Sequence, residues 1–157
     1  MRVVIQRVKK ASVRIEGMPA EEIGQGLLLL VGFETADNED DLTWMAKKVV
    51  QLRIFDDETG VMNLSINDLC ESLSKEISGL LVVSQFTLHA STKKGNRPSY
   101  IRAAPPYLAI PLYEAFLKEL RALFLGDIKT GKFGAKMEVT LINDGPVTIW
   151  IDTKNRE

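Results

Sequence analysis

Met137 to Asp152 reads MEVTLINDGPVTIWID. Apolar Met137, Val139 and Leu141 alternate with Glu138 and Thr140, and Val147, Ile149 and Ile151 resume the alternation around Thr148 and Trp150. A period of two over this length predicts half-buried strand. Asn143-Asp144-Gly145-Pro146 interrupts it. Pro146 has no amide hydrogen to offer a ladder, so it belongs at an edge, a bulge or a turn. Gly145 permits backbone angles closed to other residues and lets another group come close. Two readings follow. One is a hairpin turn between two strands. The other is a Gly-Pro kink presented to a ligand, and the rest of the chain has to choose between them.

Working outward, Thr130 to Ala135, TGKFGA, is a loop that leads into this stretch. Before it, Leu112, Phe116, Leu120 and Leu123 form the buried stripe of a helix, which the prolines at 105, 106 and 111 start near Pro111 and Gly126 can end. Leu80 to Leu88, LLVVSQFTL, reads as a strand that turns polar at its end. In the first half, Arg2 to Val8 is a strand, Val13 and Ile15 mark another, and Gly17-Met18-Pro19 turns the chain. A second turn, Gly24-Gln25-Gly26, precedes Leu27 to Phe33, a continuous apolar run expected to be buried on both faces. Asp37 or Asn38 caps a helix with an acidic first turn (Glu39, Asp40, Asp41) and apolar Leu42, Met45, Val49 and Leu52. Ile54-Phe55 is a short strand closed by the turn at 56–60. Ser65 to Gly79 reads as a polar loop with one helical turn around Leu69 to Leu73. Strands with two principal helices and no linker or repeat predict one α+β domain over residues 1–157.

The 157 residues suit one core, and 45% hydrophobic residues exclude a disordered chain. The densest apolar run, Leu27 to Val31, is strand-sized, so no membrane span is expected. The strand pattern begins at Val3 without a signal-peptide core, and Cys70 stands alone without a disulfide framework. A cytoplasmic location is the expectation, and it makes the glycosylation sequon Asn63-Leu64-Ser65 an accident. A net charge of −1 offers no global attraction to nucleic acid, so any such contact needs a local basic patch.

One His and one Cys do not make the usual zinc sets, so no metal is expected. A Ser-His-Asp triad would require His89, which reads as a surface histidine beside a basic loop, and Cys70 as nucleophile would need the same base. Gly126 to Lys132, GDIKTGK, imitates a phosphate loop, but Phe133 stands where Ser or Thr should hold magnesium, and the order of helix and strand is reversed. Ser84-Gln85-Phe86-Thr87 is either strand-end capping or a small polar pocket floor with donors and backbone amides for a ligand. The loop after it carries Lys93, Lys94 and Arg97. Such a loop is either plain solvated surface or, beside a polar pocket, a holder of phosphate backbone.

Val82-Val83-Ser84-Gln85-Phe86-Thr87-Leu88 and Asn143-Asp144-Gly145-Pro146-Val147-Thr148 together resemble the D-aminoacyl-tRNA deacylase (D-tyrosyl-tRNA deacylase) family. Ile5-Gln6-Arg7-Val8, Met62-Asn63-Leu64-Ser65, Lys94-Gly95-Asn96-Arg97-Pro98-Ser99 and Thr130 to Ala135 also match its pattern, so the likeness runs to about Asp152. Each main motif alone is moderate evidence; both in this order, with the others between, are highly specific. Ser65 to Gly79 departs as a longer loop than in most relatives, and Pro111 shifts a helix start.

The resemblance implies a mainly antiparallel mixed sheet or partial barrel in a cytoplasmic homodimer. It implies cleavage of the ester between a D-amino acid and the tRNA 3′ end, removal of glycine mischarged on tRNA, and no cofactor. It further implies a cis Gly145-Pro146 peptide inserted into the partner's active site and facing the substrate α-carbon, with Arg7 bracing that loop. Ser84, Gln85, Phe86 and Thr87 would then surround the scissile ester, and Phe133 to Met137 would enclose the terminal adenine. On this reading the choice falls to the ligand-facing kink.

The motifs hold no obvious acid–base side chain. Either Thr87 attacks, a weak nucleophile without a base, or backbone amides near Phe86 and Thr87 hold the oxyanion while the ribose 2′-hydroxyl activates water. The second fits this poverty better. Two other functions stand beside it: a non-catalytic RNA-binding dimer that uses Lys93, Lys94 and Arg97, and a hydrolase of free D-amino-acid esters.

Overall fold

The computed structural model describes residues 1–72 and 78–156. In chain order the strands are β1 (Arg2–Ile15), β2 (Glu21–Ile23), β3 (Gln25–Gly32), β4 (Phe55–Asp56), β5 (Met62–Leu64), β6 (Ser78–Ser84), β7 (Asp127–Thr130) and β8 (Met137–Asp152). The helices are α1 (Glu39–Gln51), α2 (Ile66–Ser72) and α3 (Pro106–Leu123), with one 3-10 turn at Phe86–His89. This is the α+β domain the sequence predicts.

The six-stranded main sheet runs β2-β1-β3-β6-β7, with β8 on the free side of β1. β1 pairs antiparallel with β2, β3 and β8, whereas β3–β6 and β6–β7 are parallel. β2 also lies against β6 and β7, so the sheet curls toward closure. β4 and β5 form a separate small pair.

The expected break between Arg2–Val8 and Val13–Ile15 does not occur: β1 is one strand. Nor is Asn143 to Pro146 a hairpin turn, because β8 runs through it along β1. Gln6 faces Thr148 and Lys10 faces Ile142, so four residue steps on β1 meet six on β8. The surplus is a bulge that takes in the cis Gly145-Pro146 peptide opposite Arg7, where Pro146 needs no ladder partner.

β3 is buried on both faces, as predicted. Leu27, Leu29 and Val31 join Leu80 and Val82 of β6 in the core under α1 and α3, while Leu28 joins Leu81 and Val83 on the opposite face. The parallel pair approaches unusually closely at its start: a Cβ on Gly26 would sit 2.0 Å from the Gly79 carbonyl oxygen. Asn38 caps α1 in a capping box with Asp41, which orients Leu42, Met45 and Val49 inward.

Three expectations about boundaries need correction. Helix α3 begins at Pro106 rather than near Pro111, since proline suits the first helical position, and it ends at Leu123, before Gly126. Ser65 to Gly79 is not mainly loop: Ser65 and Asp68 hydrogen-bond reciprocally at the start of α2, which buries Ile66, Leu69 and Cys70 as a third helix, and β6 begins at Ser78. Residues 73–77 of that stretch lie outside the described residues. The segment GDIKTGK is mostly strand β7, in keeping with its rejection as a phosphate loop.

Candidate active site

Strands β3 and β6 end side by side, with Val31 opposite Ser84 and the Gln85 amide donating to the Val31 carbonyl at 2.7 Å. The strand predicted to run to Leu88 stops at Ser84, and the chain tightens into the 3-10 turn Phe86–His89. Gly32 makes this possible. A Cβ there would lie 2.8 Å from the Gln85 carbonyl oxygen and 3.2 Å from the His89 ring, so only glycine lets the turn lie on β3. The amides of Phe86 and Thr87, first in the turn, meet no carbonyl among the described residues and remain available as donors.

Beside this turn opens a cavity of about 260 Å³. Ser84, Gln85 and Phe86 form one wall, and Phe133, Gly134, Ala135 and Met137 form another. Two segments about fifty residues apart in the sequence thus share one cavity. Ala104 and Ala109, just before and inside α3, complete it and have no signal in the sequence beyond being small. The buried Tyr113 hydroxyl donates to the Val82 carbonyl at 2.9 Å, as does the Gly131 amide at 3.1 Å, fastening α3 and the 131–136 loop to β6. Burial pushes the Tyr113 phenol far above its ordinary pKa, so it acts as a neutral donor. Thr87 does not line the cavity; its hydroxyl accepts a hydrogen bond from the Gln85 side-chain amide.

Gly145 and Pro146 are exposed and do not line this cavity. Arg7, only 6% exposed, holds their loop. Its guanidinium donates to the Ile54 carbonyl at 2.7 Å and the Asp144 carbonyl at 3.3 Å, and pairs with the Asp144 and Asp56 carboxylates, each at 3.3 Å. The Asn143 side-chain amide brackets the bulge, donating to the carbonyls of Arg7 (2.9 Å) and Val147 (3.1 Å). Gly145 has φ +120°, and a Cβ there would meet Val147 Cγ2 at 2.8 Å. Arg2, not singled out from the sequence, donates to the Leu88 carbonyl at 2.9 Å and to Asp152 at 2.8 Å, tying the 3-10 turn to the far end of β8.

Lys93, Lys94 and Arg97 are exposed and form no ion pair among the described residues. Reciprocal backbone bonds between Ser91 and Ser99, at 2.8 and 2.9 Å, pin the base of their loop.

His89 corrects the sequence reading. It is fully buried rather than superficial, and neither ring nitrogen has a hydrogen-bond partner among the described residues. The local run of polar and basic residues hides this, because burial here depends on Gly32 lying against the ring. Burial holds the imidazole below its ordinary pKa, with Arg2 and the N-terminal ammonium adding to the effect; the adjacent Gly32 backbone and Glu34 counter it in part. His89 therefore supplies no base to Thr87 through an open contact.

A family model described as D-Tyr-tRNA(Tyr) deacylase matches residues 4–152. Curated relatives named D-aminoacyl-tRNA deacylase include proteins of Bacteroides thetaiotaomicron, 57% identical over 157 residues, and Akkermansia muciniphila, 58% identical over 158 residues; each match covers 100% of both chains. A solved structure named c-Myc DNA Unwinding Element Binding Protein superposes with a TM-score of 0.86 at 40% identity, covering 97% of this chain and 98% of the other. Another, described as a probable eukaryotic D-amino acid tRNA deacylase, gives a TM-score of 0.78 at 15% identity, covering 96% of this chain and 97% of that one, and shows the shared fold.

Burial of His89 also ties stability to pH. A histidine with a folded pKa below its unfolded value near 6.5 favours folding fully above that pH. As pH falls below about 6.5, the unfolded chain takes up a proton that the folded chain refuses, and stability drops by at most ~1.4 kcal/mol per pH unit from this one group. Urea denaturation from pH 7.5 to 5 should show this loss, and His89→Leu should flatten it. An unchanged pH slope in the variant would exclude His89 as the source.

Proposed function

The chain belongs to the D-Tyr-tRNA(Tyr) deacylase family, and from that premise we propose that it hydrolyses the ester of D-aminoacyl-tRNA, releasing the D-amino acid and tRNA. The observation that carries this reading is the single cavity shared by Ser84, Gln85 and Phe86 with Phe133 and Met137. In it the terminal adenosine lies against Phe133 to Met137 and the ester against the 3-10 turn. The free amides of Phe86 and Thr87 receive the carbonyl oxygen as it gains charge. The enzyme works in the cytoplasm and without a cofactor.

Gly145 and Pro146 act on the active site of a second chain. Along β8, Gly145 lies six residues from the cavity residue Val139, roughly 20 Å at 3.3 Å per residue. Along β3, Leu27, which pairs with Arg7, lies four residues from Val31, roughly 13 Å. Spacings of this size support a Gly-Pro supplied by a partner rather than by the same chain. A homodimer that exchanges these exposed, Arg7-braced loops provides this, and β8 carries the exposed apolar Val139, Ile142 and Trp150 for such a contact.

Chirality is read by exclusion. The Gly145 and Pro146 carbonyls hold the substrate amino group and lie close to its α-hydrogen. A D-residue turns hydrogen toward this wall and its side chain outward, and glycine passes for the same reason. An L-residue in that pose drives its β-carbon into the wall. Side-by-side assays with purified protein should show D-tyrosyl-tRNA deacylated and L-tyrosyl-tRNA spared. Equal cleavage of both would refute this account of chirality, and cleavage of neither would refute the deacylase reading.

A non-catalytic nucleic-acid-binding dimer is the second reading. It draws on the exposed Lys93, Lys94 and Arg97 and on the 40%-identical neighbour, which is named as a DNA-unwinding-element binding protein. A binder would protect the ester in the same assay, whereas an enzyme destroys it.

Sharing of the site is tested with mixed dimers. A Gly145→Trp chain and a Phe86→Ala chain should each be inactive alone. Their heterodimer should regain at most one site in two, because one site combines an intact Phe86 turn with an intact partner loop. No rescue in a verified heterodimer would mean that each chain supplies its own Gly-Pro.

The chemistry follows from the poverty of the site in acids and bases. Thr87 Oγ1 accepts from Gln85, and no accessible base adjoins it among the described residues. Water assisted by the substrate's own 2′-hydroxyl is the better nucleophile. Thr87→Ala should retain measurable turnover, while a 2′-deoxy terminal adenosine should slow cleavage by roughly 10²-fold or more. A trapped acyl-Thr87 species in rapid-quench mass spectrometry would overturn the substrate-assisted route.

A further inference from the structure

We propose that Tyr100 and Ile101 form a stacking subsite for the nucleobase that precedes the terminal adenosine of the acceptor strand, a step that rests on the deacylase reading. Phe86 of the cavity wall, Tyr100 packed against it and Ile101 next to Tyr100 in the chain are all exposed. Phe86 is 56% exposed and Ile101 89%, and Tyr100 packs edge-on against Phe86 with ring centroids 5.1 Å apart. Phe86 lines the cavity, so the shelf is continuous with it.

The shelf is held rather than loose. The Ala103 amide donates to the Tyr100 carbonyl at 2.9 Å, closing a turn, and Ala104 donates to the Phe33 carbonyl at 2.9 Å. Arg102 pairs with Glu34 at 3.6 Å, and Ala103 bridges Glu34 through the backbone. On the other side, the Ser91–Ser99 pair closes the loop that carries Lys93, Lys94 and Arg97, one residue before Tyr100. The cation-bearing loop thus ends directly before Tyr100 in the chain, and Tyr100 touches Phe86 of the cavity wall.

Charge and shape together choose the occupant. A strand whose last adenosine sits in the cavity can lay its preceding base on the shelf beside Phe86 and offer its phosphates to the cation-bearing loop that joins the shelf. Single-stranded nucleic acid is bound by this combination of stacking rings and backbone-tracking positive charge. A free amino-acid ester would end at the cavity and touch neither.

The test compares D-tyrosyl-tRNA with D-tyrosyl-adenosine, which lacks the preceding nucleotide. Tyr100→Ala should lower the ratio of kcat/KM for tRNA over adenosine ester by roughly tenfold, within the range of one lost base stack. Ile101→Ser, at a fully solvated position, should lower it in the same direction, and Tyr100→Phe should stay near wild type because the ring rather than the hydroxyl stacks. A ratio unchanged in Tyr100→Ala and Ile101→Ser would overturn the subsite. So would equal losses on both esters, which would mean that Tyr100 acts only through Phe86. Sedimentation of Ile101→Ser as a monomer beside a dimeric wild type would assign the shelf to a subunit interface and overturn it as well. Should the wild type cleave neither ester, the deacylase reading fails first, and the failure is visible before any variant is compared.

Discussion

The ladder between β1 and β8 carries a mismatch on which much of the molecule depends. Four residue steps on one strand face six on the other, and the surplus must leave the plane of the sheet. Gly145 and Pro146 occupy it because proline gives up no ladder hydrogen bond and glycine adopts φ +120°. The bulge also needs a counterweight. Arg7 reaches under it from β1 and spreads its donors over Asp144, Asp56 and the Ile54 carbonyl, so the loop is anchored to the core by a nearly buried cation. Charge-assisted bonds of this kind are about twice as strong as neutral ones, and their loss would leave the buried Ile54 carbonyl without this donor.

The β3–β6 pair and the cavity at its end are shaped by close main-chain approach. Gly26 meets Gly79 at the start of the β3–β6 pair, and Gly32 lies under the Gln85 carbonyl at its end. No side chain fits at either place, so the two parallel strands stay in contact and the chain after Ser84 turns sharply over β3. The turn leaves the Phe86 and Thr87 amides without a carbonyl partner among the described residues, and the ionisable groups at the turn are the buried His89 and Arg2, which is engaged with the Leu88 carbonyl. On the proposed deacylase reading, such donors suit a reaction in which the substrate brings its own hydroxyl and the protein supplies position and dipoles.

Helix α1 and strand β3 are legible in the sequence because their signals are local: an Asn38 cap followed by acidic residues, and an unbroken apolar run. The motif around Ser84 to Thr87 is legible as a polar strand end, but its boundary is not, since the shift from strand to 3-10 turn depends on the missing Cβ of Gly32, some fifty residues away. The burial of His89 is hidden for the same reason. Helix α2 gives little signal because its buried face is only Ile66, Leu69 and Cys70, too short a stripe to stand out from its polar neighbours.

The sequence by itself determined what nearest neighbours along the chain can specify: the alternation of Met137 to Asp152, the double burial of Leu27 to Val31, and the two motifs whose resemblance points to the D-Tyr-tRNA(Tyr) deacylase family. Whether Asn143 to Pro146 turned the chain or bulged from a continuous strand was a tertiary decision. The same four residues suit either outcome, and only the presence of β1 alongside the whole of β8, with Arg7 beneath, selects the bulge. Tertiary structure likewise joined Ser84 to Phe86 with Phe133 to Met137 in one cavity and left Gly145 outside its lining, because residues distant in sequence reach one cavity only when the sheet curls, with β2 lying against β6 and β7.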